Sequence, residues 1–227
     1  MNHNKTLEVC NYIKQNNHYL VDQNQSIKKI LKKKYSTEII ELTTENIENY
    51  NLNLYEEFSE ITTTHRTKEF LKWRFLKNPL IKYSLYGIVD SNLLVAYVAL
   101  REETLNPFTY KVNRIIDLFG KTSAIKALLY KTITESISKN HIYVDFSMFG
   151  LIYEMELNSF KFIKLENENY SIIPQVTSPI ENRHNGEFIG VFSKSFCKEI
   201  NNLSKKNVYF TRMDSDRDRV ANINQIR

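Results

Sequence analysis

Cysteine is almost missing from this chain of 227 residues, where Cys10 and Cys197 stand alone. Two such cysteines have no metal-ligand spacing and cannot build a disulfide framework, so a reducing cytoplasm is the expected setting. Long apolar runs are missing too. The longest, Leu93 to Leu100, suits a strand buried on both faces and is far too short to cross a bilayer. The opening MNHNKTLEVCNYIKQNN is polar and holds no basic-then-apolar leader, so no export is expected. No internal repeat and no linker divides the chain. A decisive charge of one sign is lacking as well: the net +5 suits an anionic ligand, yet an ordinary soluble surface looks the same.

A glycine is missing where it would matter most. In RIIDLFGKTSAIKALL (114–129), Gly120-Lys121-Thr122 closes like a Walker A loop, but position 115 is Ile instead of the first glycine. That glycine lets the backbone wrap around a triphosphate, so a P-loop is excluded. What remains is a short glycine-containing loop running into a helix, whose first N–H groups lack intrahelical partners and suit phosphate. Thr122 or Ser123 is the expected cap, with Lys121 adding positive charge.

What is present is globular: 42% hydrophobic and 25% charged residues. Periodicity predicts a helix over 5–35, with the lysines of 28–34 on its solvated face rather than forming a nucleic-acid patch. A strand at 38–42 follows, then helices at 47–58 and 67–77, the second stopped by Asn78-Pro79. A hairpin pairs 83–89 with 93–101 through the turn residues Asp90-Ser91-Asn92. Strand 112–119 leads to a helix with a single buried stripe, Ile125, Leu128, Leu129, Thr132, Ile133, Ser136 and Ile137. Strand 141–149 alternates, with Ile142, Val144, Phe146 and Met148 opposite Tyr143, Asp145 and Ser147. A helix from 150 to 158 and strands at 160–165 and 207–211 complete the set, with 167–205 irregular. The strand-helix-strand unit at 112–149 demands a right-handed crossover between parallel strands. The fold class is therefore α/β with a mixed central sheet, organised as an N-terminal helical extension (1–37) and one domain (38–227).

This element order resembles the GNAT superfamily of N-acetyltransferases over nearly all of residues 38–213. A closer likeness lies in HRTKEFLKWRFLKNPLIKYSLYGIV (65–89) and VYFTRMDSDRDR (208–219), which resemble a subgroup associated with bacterial surface-polysaccharide and amino-sugar biosynthesis. The resemblance implies an acyltransferase using acetyl-CoA or another acyl-CoA as co-substrate. The cofactor would lie between strand 112–119 and a partner, 141–149, that splays from it. Leu118, Phe119, Gly120, Lys121, Thr122, Ser123 and Ala124 would form its binding stretch. The family's loop is richer in glycine than FGKTSA, and its thiolate-protonating tyrosine sits five residues before a Gly-Phe pair. Here Tyr153 lies seven before Phe160, and Ser159 stands in place of the glycine.

Acyl transfer needs a polarised carbonyl, a base for the amine and a proton for the thiolate. Backbone N–H groups around Leu118 and Phe119 would polarise the carbonyl. The catalytic candidates are Asp117, Asp145, His184 and Tyr153, with His65 as a further histidine. Trp73, Arg74, Asp214 and Asp216 are the acceptor-binding candidates, the two aspartates meeting either an acceptor amine or an arginine such as Arg212, Arg217 or Arg74. Asp214, Asp216 and Asp218 have calcium-loop spacing, but Arg219 and Gln225 stand where that loop needs Gly and Glu, so no metal is expected. The implied partner is a small amino-sugar substrate, with no nucleic acid and no membrane, and a homodimer is left open.

Overall fold

The computed structural model describes residues 19–22, 37–106, 108–164, 176–177, 180–181, 207–214 and 218. The lysine run of 28–34, His184 and Asp216 lie outside the described residues.

An eight-stranded sheet carries the molecule. Its strands are β1 (Tyr19–Asp22), β2 (Ile40–Glu41), β3 (Asn51–Leu52), β4 (Ser84–Asp90), β5 (Leu93–Leu105), β6 (Tyr110–Gly120), β7 (Tyr143–Phe146) and β9 (Ile163–Lys164). They lie in the order β2-β4-β5-β6-β7-β1-β9, with β3 added beside β5. A second pairing joins β8 (Met148–Phe149) to β12 (Phe210–Thr211). A third joins β10 (Val176–Thr177) to β11 (Ile180–Glu181), inside the stretch expected to be irregular.

The hairpin forms where turn chemistry places it. Ser91 and Asn92 adopt φ of 49° and 68°, the left-handed pair of a two-residue turn. β5 then runs to Leu105, beyond the expected 101, and is buried without a break from Leu94 to Leu100. The helical segments are α1 (Lys68–Leu71), which widens into a π-helical turn over Lys72–Leu76, α2 (Thr122–Ser138) and α3 (Glu154–Ser159). Thr67 caps α1 by accepting the Phe70 N–H. The α2 stripe packs on the sheet as its spacing predicts, and the Asn113 side chain donates to Ser136 Oγ at 2.8 Å.

At two places the described residues are not the expected helix, the rest of 5–35 lying outside them. Tyr19–Asp22 is a strand bonded antiparallel to both β7 and β9, and Tyr19, Leu20 and Val21 are all buried. A segment apolar on both faces fills an interior sheet position, which an amphipathic helix does not. The 47–58 helix reduces to one 3₁₀ turn at Asn46–Asn49, followed by β3 and further turns. Asn46 sets this: its side chain accepts the Thr43 N–H at 2.8 Å and donates to the Glu41 carbonyl at 2.8 Å. Such local bonds compete with a helix. The expected strand 141–149 also divides, because β8 turns away from the main sheet to pair with β12.

Candidate active site

β6 is buried from Val112 to Gly120, but its two edges have different fates. Along β5 it is paired antiparallel from Tyr110 to Gly120, with one irregularity at Ile116. Along β7 it is paired in parallel only at Asn113↔Val144, Arg114↔Asp145 and Ile115↔Phe146. Beyond Ile115 the two strands part. β6 runs on to Gly120 and α2, while β8 bonds β12.

Antiparallel pairing alternates bonds between the two edges of a strand. The Lys121 N–H donates to the Val95 carbonyl at 2.8 Å, which turns the backbone groups of Phe119 toward β5 and those of Leu118 and Gly120 toward the splay. The expectation that Phe119 offers its N–H to an acyl carbonyl is therefore corrected. Side chains meet the splayed edge instead of a strand. The Tyr153 hydroxyl donates to the Gly120 carbonyl at 2.7 Å and accepts the Gly120 N–H at 3.0 Å. The Tyr209 hydroxyl donates to the Leu118 carbonyl. Burial holds both phenols well above their usual range, so they stay protonated. Tyr153 precedes the first turn of α3, so its direction is set by the entry to the helix and not by rotation along it.

Gly120 is required twice over. Its φ is +126°, and an added Cβ would lie 2.3 Å from the Val95 carbonyl oxygen. The turn delivers the chain into α2 with Lys121 as the cap residue, and no side chain of the loop makes a capping bond. The expected Thr122 or Ser123 cap is corrected. The Thr122 N–H donates to Glu57 Oε2 at 2.8 Å, and Lys121 Nζ lies 3.9 Å from Glu56. Ser123 is exposed and Ala124 buried on the helix.

Asp117, one residue before the splayed edge, is fully buried. It accepts from Arg66 Nε at 2.9 Å and Nη2 at 3.1 Å, from Thr211 Oγ1 at 3.0 Å and from the Tyr97 hydroxyl. All four bonds come from side chains of the chain itself, so Asp117 is a structural carboxylate here and its catalytic assignment is corrected. Arg66 also donates to Thr63 Oγ1 at 2.6 Å and the Thr64 carbonyl at 2.8 Å, and its guanidinium sits 4.5 Å from the Phe119 ring centre. Asp145 is likewise buried in ion pairs, 2.6 Å from Arg212 Nη2 and 3.6 Å from Arg114 Nε. It is neither solvated nor a free base.

Asp214 lies beside this cluster. Its Oδ2 accepts the Thr211 N–H at 2.7 Å and is 3.6 Å from Arg66 Nη2; the Thr64 hydroxyl also lies beside the carboxyl, whose Oδ1 is buried with no hydrogen bond of good geometry among the described residues. Burial first, and then the Asp117 charge, raises its pKa. Trp73 and Arg74 diverge. The indole is 67% exposed beside Phe70, while Arg74 points inward to Asp218 at 2.7 Å. Arg101 at 2.9 Å and the Tyr83 hydroxyl complete the bonds to that aspartate. His65 is exposed, its ring 5.4 Å from Tyr55.

Sequence patterns pointed to Asp117, Tyr153 and Gly120 but not to Glu57, Arg66 or Tyr209. These reach their partners across 65, 51 and 91 residues respectively. The one sequence signal for them was their place in the two segments, 65–89 and 208–219, that bracket the resemblance, and Glu57 has none.

No family model matches the chain, and no curated protein does. Solved structures do. The N-myristoyltransferase of Saccharomyces cerevisiae with bound myristoyl-CoA aligns with 64% of this chain and 46% of its own, at 12% identity and a TM-score of 0.44. A ribosomal-protein-alanine N-acetyltransferase of Brucella melitensis aligns with 47% of this chain and 76% of its own, at 12% identity and 0.36. An N-acetyltransferase of Staphylococcus aureus Mu50 aligns with 55% and 76%, at 13% identity and 0.33. This chain thus spans about half the length of the yeast enzyme, and at these values the likenesses assign it no activity.

Proposed function

We propose that this chain is an acyl-CoA-dependent N-acyltransferase, transferring an acetyl or other acyl group to an amino sugar carried on a nucleotide for surface glycan synthesis. The observation that supports the reading is the parting of β6 from β7 after Ile115↔Phe146, directly before a glycine turn and the start of α2. A strand edge released from its neighbour accepts an extended amide-bearing chain in place of a strand, here by displacing the Tyr209 and Tyr153 hydroxyls from Leu118 and Gly120. The helix start beyond it suits phosphate. The acceptor class rests on the likeness of segments 65–89 and 208–219 alone.

In this reading the acceptor nitrogen attacks the thioester carbon, the C–S bond breaks, and the departing thiolate takes the Tyr153 phenol proton. Burial keeps the phenol protonated until the thiolate departs; the proton then leaves the Gly120 carbonyl for sulfur, and the phenolate oxygen keeps the Gly120 N–H as its donor. Asp214, whose Oδ1 has acceptor capacity left, receives the amine proton. Incubating the protein with acetyl-CoA and a panel of amino-sugar nucleotides tests the proposal. Release of free CoA thiol with at least one acceptor is expected, and Tyr153→Phe should lower turnover roughly 100-fold. If no acceptor releases thiol and acetyl-CoA leaves the melting temperature unmoved, the reading fails.

A second reading, a non-catalytic module that binds acyl-CoA or a protein partner, is favoured by one feature. Asp117 and Asp145 are both consumed by arginines. Tight acetyl-CoA binding with no turnover on any acceptor would select it.

A further inference from the structure

Residues 54–61 cross the mouth of the splay. The chain is tied down on either side of them, where the Asn53 N–H donates to the Leu94 carbonyl at 3.0 Å and the Thr62 N–H to the Asn207 carbonyl at 2.8 Å. Between these anchors the backbone makes local turns, Phe58 N–H to Tyr55 carbonyl at 3.0 Å and Ile61 N–H to Phe58 carbonyl at 3.3 Å. Side chains hold the segment down. The Tyr55 and Phe58 rings lie 5.0 and 5.3 Å from Phe119, and Phe58 also meets Tyr153 edge-on at 6.0 Å. Glu57 accepts the Thr122 N–H, and Glu56 approaches Lys121.

From Leu118 to Thr122, three positions facing the splay are thus filled by the chain itself. Tyr209 holds the Leu118 carbonyl, Tyr153 holds both polar groups of Gly120, and Glu57 holds the first amide of α2. The first two hydroxyls come from buried residues, but Glu57 is exposed and Lys121 and Glu56 are 37% and 52% exposed. Charged contacts so open to water contribute little and are readily exchanged. Two carboxylates beside the Thr122 amide also exclude any second anion by like-charge repulsion while they stay there.

We propose that residues 54–61 form a strap closed over this end of the splay, latched by Glu57, and that a diphosphate-bearing ligand binds by displacing that carboxylate from the Thr122 amide. The inference rests on the acyl-CoA reading for the ligand's identity, while the latch itself is defined by Glu57, Glu56, Lys121 and Thr122.

Calorimetric titration of inorganic pyrophosphate and of acetyl-CoA into the full chain, Glu57→Gln and Glu60→Gln tests it. Glu60 is an exposed carboxylate on the same strap, so it controls for simple loss of charge. Glu57→Gln keeps a neutral acceptor but loses the charge, so it should bind both ligands roughly two- to fivefold more tightly as the latch weakens and the repulsion of a second anion falls. Glu60→Gln should match the parent. Hydrogen exchange over 54–61 should quicken when ligand is added to the parent chain. An equal gain in Glu60→Gln, or a strap that slows its exchange on binding, overturns the latch. If pyrophosphate follows the expected pattern and acetyl-CoA binds nothing, the strap stands and the acyl-CoA reading falls. If acetyl-CoA binds all three forms equally, the strap falls and that reading stands. Absence of binding by either ligand to any form sinks both.

Discussion

From Asn113 to Ile115, strand β6 is bonded by backbone on both edges, to β5 on one and β7 on the other. From Leu118 to Gly120 it keeps β5 but meets two phenols where a strand would lie. The first arrangement depends on main-chain groups that every residue carries. The second depends on named side chains, each delivered from a different part of the chain. Substitutions should therefore be felt unequally along one strand: tolerated in kind where the ladder is complete, specific where hydroxyls and charges replace it.

The largest effect is expected at Asp117, at the boundary of the two halves. Removing its carboxylate leaves the buried Arg66 guanidinium with only the 3.6 Å approach of Asp214 as counter-charge, so Asp117→Ala should destabilise the fold by about 3 kcal/mol. A double replacement, Arg66→Met with Asp117→Leu, should recover most of that loss, since the desolvation of both charges disappears together. Urea unfolding of Asp117→Ala, of Arg66→Met and Asp117→Leu singly, and of the double checks this. A Asp117→Ala protein that is fully stable would break the comparison at its root.

Next comes Tyr153→Phe. The ring keeps its packing against Phe58 and Tyr209, but the Gly120 N–H and carbonyl lose their shared partner. Two buried backbone groups left unpaired should cost about 1–3 kcal/mol. Tyr209→Phe frees only one carbonyl and should cost less, so the order of the two unfolding midpoints sharpens the account of how the edge is held.

The same contrast explains what was legible in the sequence. Ser91-Asn92, the apolar run of β5 and the α2 stripe are local patterns, and each produced the element it predicts. Local pattern misled where polar side chains rewrote the backbone. Ile47, Leu54 and Phe58 are all buried at spacings a helix would also give, yet Asn46 ties its own turn and the chain leaves helical geometry. At Tyr19–Asp22 a short apolar segment gave no periodicity to read, and the burial of both its faces is a tertiary fact. At the site, Gly120 and Tyr153 were readable because turn chemistry and residue type mark them. Glu57 was not, because an exposed glutamate in an acidic pair has no local feature that assigns it to a helix start 65 residues later.

The smallest effect, and one with opposite signs in the two halves, is the response to acid. On the paired side His141, just before β7, is buried with Nε2 2.7 Å from Glu102 and Nδ1 without a hydrogen-bond partner among the described residues. Burial lowers its pKa below the ordinary 6.5 even though Glu102 pulls it upward, and Lys139 and Lys111 add to the lowering. The native state therefore binds fewer protons than the unfolded chain, and the stability His141 contributes is complete above 6.5 and is lost as pH falls toward its folded value. On the splayed side Asp214 has a raised pKa, so its buried charge costs stability at neutral pH and that cost fades as pH falls and the carboxyl protonates. Comparing urea midpoints at about pH 7.5 and about pH 4, His141→Asn should flatten the parent chain's loss on acidification, whereas Asp214→Asn should steepen the overall fall. If both substitutions change the slope in the same direction, the two halves do not differ in their protonation balance, and the division of β6 into a backbone-held and a side-chain-held part would have no electrostatic counterpart.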